Sequence, residues 1–147
     1  MSGGDGATVR WRDLLREATE RLDATEARWL VEELTGAEPG AHHAELDRPA
    51  TQSAFARFDA LLARREAGEP LQYVLGHWGF RSLDLLVDRR VLIPRPETEV
   101  VAGLAIEAVE TLSARHERDI LVADLGTGSG AIGLSVAVEC PRARVLV

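Results

Sequence analysis

Between an apolar run, Ile120-Leu121-Val122-Ala123, and a second apolar stretch from about Ala131 to Glu139 stand Asp124-Leu125-Gly126-Thr127-Gly128-Ser129-Gly130. This segment restricts the fold more than any other. The first run reads as a short strand buried on both faces, and the second as a helix. Alternate glycines permit positive φ and let a ligand approach the backbone without meeting a Cβ. The helix behind them starts with unpaired amides. Pro141 ends that helix, and Val145-Leu146-Val147 begins another apolar strand. Strand, glycine turn, helix and strand make a right-handed crossover unit of a parallel sheet. A tight turn without ligand also explains glycines, but three of them after an acidic strand end favour a bound one. Two parallel strands do not form a stable sheet alone. The chain is therefore expected to be the N-terminal part of a longer protein.

Upstream the periodicity is helical. Trp11, Leu14, Leu15, Ala18 and Leu22 share one face, and Ala27, Leu30, Val31 and Leu34 share another. Asp23 with Glu26 predicts a capping box at the second helix, and Gly36 its stop. Residues 37–51 read as a loop with a short helix at most. A third helix is predicted from Thr51 to Ala67, with Phe55, Phe58, Leu61 and Leu62 inward and Gly68 closing it. Short connections favour a small antiparallel bundle. The period then changes to two: Trp78, Phe80, Leu83, Leu85 and Val87 predict a β-hairpin from about His77 to Asp88. Pro96 suits the first position of a further helix, with Val101, Leu104, Ala105, Ala108 and Leu112 on one face.

Composition adds exclusions. The 147 residues are 46% hydrophobic and 28% charged, which excludes disorder and a disulfide miniprotein. Cys140 alone makes no internal disulfide and fits a reducing cytoplasm. No apolar run approaches the ~18 residues of a membrane span, and Met1 to Gly6 has no secretory character. A net charge of −7 disfavours direct nucleic-acid binding. All 17 basic residues are arginine, which we read as codon preference.

Gly128-x-Gly130-x-x-Gly133 formally matches a dinucleotide fingerprint. In that frame Asp124 has no task. The frame D-x-G-x-G-x-G resembles the S-adenosylmethionine-dependent methyltransferases, in which the acid helps hold a cationic amino-acid end. Two further segments sharpen the resemblance. Gly68-Glu69-Pro70-Leu71-Gln72-Tyr73-Val74-Leu75-Gly76 and Ile93-Pro94-Arg95-Pro96-Glu97-Thr98-Glu99, about 25 residues before the glycine loop, resemble the release factor glutamine methyltransferases of the HemK type.

That resemblance implies three parts. Residues 1–72 form a helical substrate-recognition domain, 73–93 a β-hairpin linker, and 94–147 the start (β-α-β) of a doubly wound class I methyltransferase domain. It implies S-adenosylmethionine as cofactor, held by Asp124, Gly126, Thr127, Gly128, Ser129, Gly130, Arg95 and Thr98. Phe80 and Glu97 are expected in a substrate pocket, with no metal. The implied reaction methylates the glutamine amide nitrogen in the Gly-Gly-Gln motif of peptide chain release factors, in the cytoplasm, by an enzyme monomeric when intact. Its Asn-Pro-Pro-Tyr motif, which orients the amide, is not among these residues, so the chain alone is expected to be inactive.

Bland readings stand beside these. A helix start explains Glu99 well and Arg95 poorly, since it does not call for a cation; Glu97 and Thr98 fit either reading. Tyr73 reads as linker core. Adjacent His42 and His43 diverge, His77 and His116 are isolated, and Cys140 reads as a small buried hydrophobe. Three other functions compete: a DNA amino-methyltransferase, disfavoured by charge; a non-catalytic release-factor-binding fragment; and a nicotinamide-dependent oxidoreductase, weakened by its glycine frame.

Overall fold

The computed structural model describes residues 9–147 apart from residues 38, 39 and 117 and the side chain of His42. The readings of Met1–Gly6 and Pro39 lie outside the described residues. The chain divides into two compact units, Met1–Leu75 and Gly76–Val147.

The first unit is helical. It contains α1 (Trp11–Arg21), α2 (Ala24–Thr35), a 3-10 turn (His42–Ala44), α3 (Gln52–Glu66) and α4 (Leu71–Leu75). The Trp11 and Arg12 amides, unpaired at a helix start, donate to the Arg48 and Leu46 carbonyls at 3.2 and 3.0 Å. Asp23 caps α2 by accepting the Thr25 amide at 2.8 Å, and Gly36 ends it in the left-handed region at φ 66°. Thr51 caps α3 through the Ala54 amide at 3.1 Å. The predicted capping box is only half made, because both Glu26 carboxylate oxygens accept from Arg65 of α3, each at 2.9 Å. The core joins Trp11, Leu14 and Ala18 to Ala27, Leu30 and Val31, Phe58 and Leu62, and Leu71 and Val74. Phe55, expected inward, is 36% exposed, because α3 turns only Phe58 and Leu62 fully into that core.

Hydrophobic periodicity does not predict α4, which has only five residues. Pro70 pre-sets its first turn, and Arg64 holds both ends. The Arg64 guanidinium grips the Glu69 carboxylate through two bonds of 2.9 Å. It also donates to the Tyr73 and Val74 carbonyls at 2.8 and 3.2 Å.

The second unit opens with an antiparallel hairpin, β1 (His77–Phe80) and β2 (Leu83–Leu86), in which Phe80 pairs with Leu83 and His77 with Leu86. Arg81 and Ser82 form the turn, with Arg81 at φ 51°. Then come α5 (Pro96–Arg115), β3 (Ile120–Ala123), α6 (Ala131–Glu139) and β4 (Ala143–Leu146). β3 and β4 pair in parallel, Ile120 with Ala143 through Ala123 with Leu146. Ile106 and Val109 of α5 form a core with Val136 and Cys140, against which Ile120, Val122, Ala143 and Val145 pack.

Two expectations fail here. α5 buries Ala102, Ile106 and Val109, not the predicted face: Val101, Leu104 and Leu112 are 51%, 61% and 41% exposed, and Ala108 is exposed too. This helix is apolar on more than one side, so periodicity could not choose between faces. β3 is covered on one face only, since Ile120 and Val122 are half-buried while Leu121 is 68% exposed. A strand becomes two-sidedly buried only when a second layer covers it, and among the described residues none does.

Candidate functional site

β3 delivers Asp124 to the start of the glycine loop, where its amide donates to the Leu146 carbonyl at 2.9 Å and extends the parallel ladder by one residue. Gly126, Gly128 and Gly130 follow at φ 74°, 57° and 80°. Three left-handed residues in alternation explain why no side chain stands at these positions. The Gly130 amide donates to the Thr127 carbonyl at 2.9 Å, and the Gly130 carbonyl accepts the Leu134 amide at 2.8 Å, which starts α6.

The loop leaves polar groups unspent. Among the described residues, the amides from Gly126 to Ser129 donate to no other part of the chain. The Thr127 hydroxyl oxygen is buried and has no partner there either. An orphaned buried hydroxyl costs on the order of 1–3 kcal/mol unless something completes it. Among the described residues beyond the immediate chain neighbours, no heavy atom stands within 4 Å of where a Cβ would project from Gly126 or Gly128. Free amides, an orphaned hydroxyl and open space suit a polar organic ligand laid against the backbone.

Asp124 is partly committed. Its Oδ2 accepts the Gly133 amide at 2.9 Å, tying the first turn of α6 to the end of β3. A Cβ on Gly133 would lie 2.6 Å from Val147 Cγ1 and 2.9 Å from that same carboxylate oxygen. Gly133 therefore lets helix and sheet approach and fixes the carboxylate's direction. It was not among the predicted site residues, although the G-x-G-x-x-G match had already singled it out. The third glycine of such a match serves close helix–strand packing in any frame.

The other predicted residues lie elsewhere in this unit. Arg95 precedes α5 at φ −94° and ψ 150°, and its carbonyl accepts the Thr98 amide at 2.9 Å. Arg95 and Glu97 are exposed and Thr98 is half-buried. Among the described residues, no hydrogen bond or ion pair joins their side chains to residues 124–130. Glu99, read as a helix-dipole acid, accepts the Arg81 amide at 3.1 Å. Phe80, the last residue of β1, is buried at 2% exposure. Its inward direction follows from the strand's period of two.

The remaining candidates have structural roles. The Nδ1 of His77 lies 2.7 Å from Asp84 Oδ1 on the opposite strand. The His116 carbonyl accepts from Arg142 at 2.7 Å at the end of α5. Cys140 is buried, with Sγ 3.9 Å from the Ile106 carbonyl, and burial pushes its thiol pKa up, aided by Glu110 and Glu139. Tyr73 is half-buried on α4. Among the described residues, no three His, Cys, Asp or Glu side chains converge to hold a metal ion, and no helix is long and apolar enough to cross a membrane.

Comparison with known proteins bears on the helical unit and on the chain as a whole. Residues 7–76 match the family model of the PrmC N-terminal domain. The chain is 40% identical over 151 residues to the release factor glutamine methyltransferase of Agrobacterium fabrum, covering 97% of this chain and 51% of that protein. It is 44% identical over 132 residues to the Streptomyces coelicolor protein of the same name, covering 88% and 46%. The corresponding Xylella fastidiosa protein is 39% identical over 133 residues, covering 90% and 46%. The chain spans about half the length of these curated relatives. By its helical domain and by this similarity across nearly all its residues, the chain belongs to the release factor glutamine methyltransferase family.

Proposed function

We propose that this chain forms the cofactor-binding part of an enzyme that moves a methyl group from S-adenosylmethionine to a glutamine side-chain amide nitrogen. The acceptor is the glutamine of the Gly-Gly-Gln motif in peptide chain release factors. The names of the relatives support the reaction class and the substrate. The observation that carries the cofactor assignment is the loop after β3, with its three left-handed glycines and the orphaned Thr127 hydroxyl.

An amide nitrogen is a poor nucleophile, since its lone pair is delocalised into the carbonyl. S-adenosylmethionine supplies a methyl group made electrophilic by a sulfonium. The protein's share is to hold both reactants in line and to polarise the amide. In this reading the free Oδ1 of Asp124 and the loop amides from Gly126 to Ser129 hold the amino-acid end of the cofactor. Gly126, Gly128 and Gly130 keep the backbone bare so that the cofactor reaches it. Thr127 gives or accepts the hydrogen bond it lacks. Arg95 and Thr98 extend the site from the start of α5. Of the two substrate-pocket candidates, Glu97 is exposed and Phe80 acts only from beneath the surface. Residues 1–72 recognise the release factor, 73–93 connect, and 94–147 open the methyltransferase domain. We place the reaction in the cytoplasm, carried out by a monomer of the longer protein.

Calorimetric titration of the chain with S-adenosylmethionine tests the cofactor assignment. The wild-type chain is expected to bind. Gly128→Val places a β-branched residue at φ 57° and fills the open space, and is expected to weaken binding by about tenfold or more. Equal affinity in the two proteins would sink the assignment.

A further inference from the structure

One residue outside the loop ties three elements of the second unit together. Arg81 stands at the hairpin turn with φ 51°, a conformation that favours glycine or asparagine. Its guanidinium forms a fork with Glu139 at the end of α6, Nε to Oε1 at 2.8 Å and Nη2 to Oε2 at 2.6 Å. The third nitrogen, Nη1, reaches the Glu99 carbonyl in the first turns of α5 at 3.4 Å. The Arg81 amide donates to the Glu99 carboxylate at 3.1 Å. Gly103 lies one turn after Glu99 on α5, and the space where its Cβ would stand is 3.6 Å from Nη1, so the guanidinium lies along a bare stretch of helix. Both charged side chains of the fork are about three-quarters shielded from solvent, at 26% and 27% exposure.

An arginine kept in a strained turn conformation needs a compensating interaction, and planar fork geometry supplies one that lysine cannot reproduce fully. Surface ion pairs usually contribute little. This one differs in linking elements 18 and 58 residues apart in sequence through four hydrogen bonds. We infer that Arg81 is a positioning residue: its clamp on Glu139 and Glu99 holds the hairpin against the start of α5 and thereby fixes the segment carrying Arg95, Glu97 and Thr98. The part of this inference that concerns cofactor affinity rests on the proposed function above. The part that concerns the hairpin does not.

The test uses Arg81→Met, Glu139→Met, their combination, and Arg81→Lys, with two readouts on the whole chain. Arg81→Met keeps the apolar stem of the side chain while removing the guanidinium and with it the fork. Amide hydrogen exchange is expected to rise by about tenfold over residues 77–86 and 96–99 in each Met variant. The double variant should be no looser than Arg81→Met alone, since the fork that Glu139→Met removes is already lost there. S-adenosylmethionine affinity is expected to fall by about tenfold in Arg81→Met and to recover in part in Arg81→Lys. Unchanged exchange in the hairpin overturns the clamp. Raised exchange with undiminished affinity overturns the positioning role. A wild-type chain that binds no cofactor refutes the proposed cofactor site, and exchange alone then decides the clamp. Should Arg81→Met fail to fold, Arg81→Lys and Glu139→Gln carry the same exchange comparison.

Discussion

Arginine is the only cation this chain uses, and single arginines carry several of its local decisions. Arg64 organises the segment from Gly68 to Gly76, which looked like a family signature without a stated purpose. Glu69 is there to hold Arg64, Leu71 and Val74 fill the core, and Gly76 turns the chain at φ 87°. Arg90 acts more locally. Its amide and Nε both donate to Asp88 Oδ1 at 2.9 Å, and Nη2 donates to Oδ2 at 2.5 Å. These bonds, side chain first, hold the Asp88 carboxyl at about 2, below its ordinary 3.8. The folded value is depressed, so the interaction favours the folded state fully above pH 3.8 and is lost as pH falls toward 2. Carbon-detected NMR titration is expected to find Asp88 near 2 in the wild type. In Arg90→Ala it should rise part of the way toward the ordinary aspartate range, since the amide of residue 90 still donates to Oδ1; an identical midpoint in both would refute the assignment.

At the scale of elements, caps and apolar stripes decide where helices lie. Thr51 caps α3 through the Ala54 amide, so Thr51→Ala is expected to lower the stability of the helical unit by about 1 kcal/mol, with Thr51→Ser close to wild type. Denaturant melts followed by circular dichroism read this directly, and equal midpoints for wild type and Thr51→Ala would contradict it. α1, α2 and α3 were legible because each has one apolar face, and Gly36 and Gly68 mark the ends of the second and third. The hairpin was legible because its period of two is clean on both sides of Arg81-Ser82. α4 was not, since five residues are too few to display a helical period, and its ends are held by Arg64 from another helix. The buried face of α5 was misjudged for the opposite reason: apolar residues surround the helix, and only contact with Val136 and Cys140 selects Ile106 and Val109.

At the scale of the whole chain, the two units differ in how completely they cover their apolar residues. In the helical unit, ten residues from Trp11 to Val74 close a single core. In the second unit, Leu121, Leu125, Leu146 and Val147 are 60% exposed or more, as are Val100 and Leu104 of α5. The parallel pair β3–β4 has no further strand beside it among the described residues. Open edges and contiguous apolar surface promote association. Sedimentation of the chain is therefore expected to depend on concentration, and hydrogen exchange to protect the core amides of α1 to α3 more than those of β3 and β4. A concentration-independent monomer with cooperative unfolding of residues 76–147 would overturn this.

The residue order by itself determined the class of most segments and made room for the site's backbone. Hydrophobic period, capping residues and proline set most elements, and the alternate glycines after Asp124 allowed a left-handed loop, because glycine adopts that conformation cheaply. Tertiary structure decided what period cannot encode. It buried Phe80, half-spent Asp124 on the Gly133 amide, and gave Gly133 its purpose against Val147. It also paired Arg81 with Glu139, 58 residues away. Such choices depend on which surfaces meet, and a pairing between distant residues leaves no periodic trace in either segment.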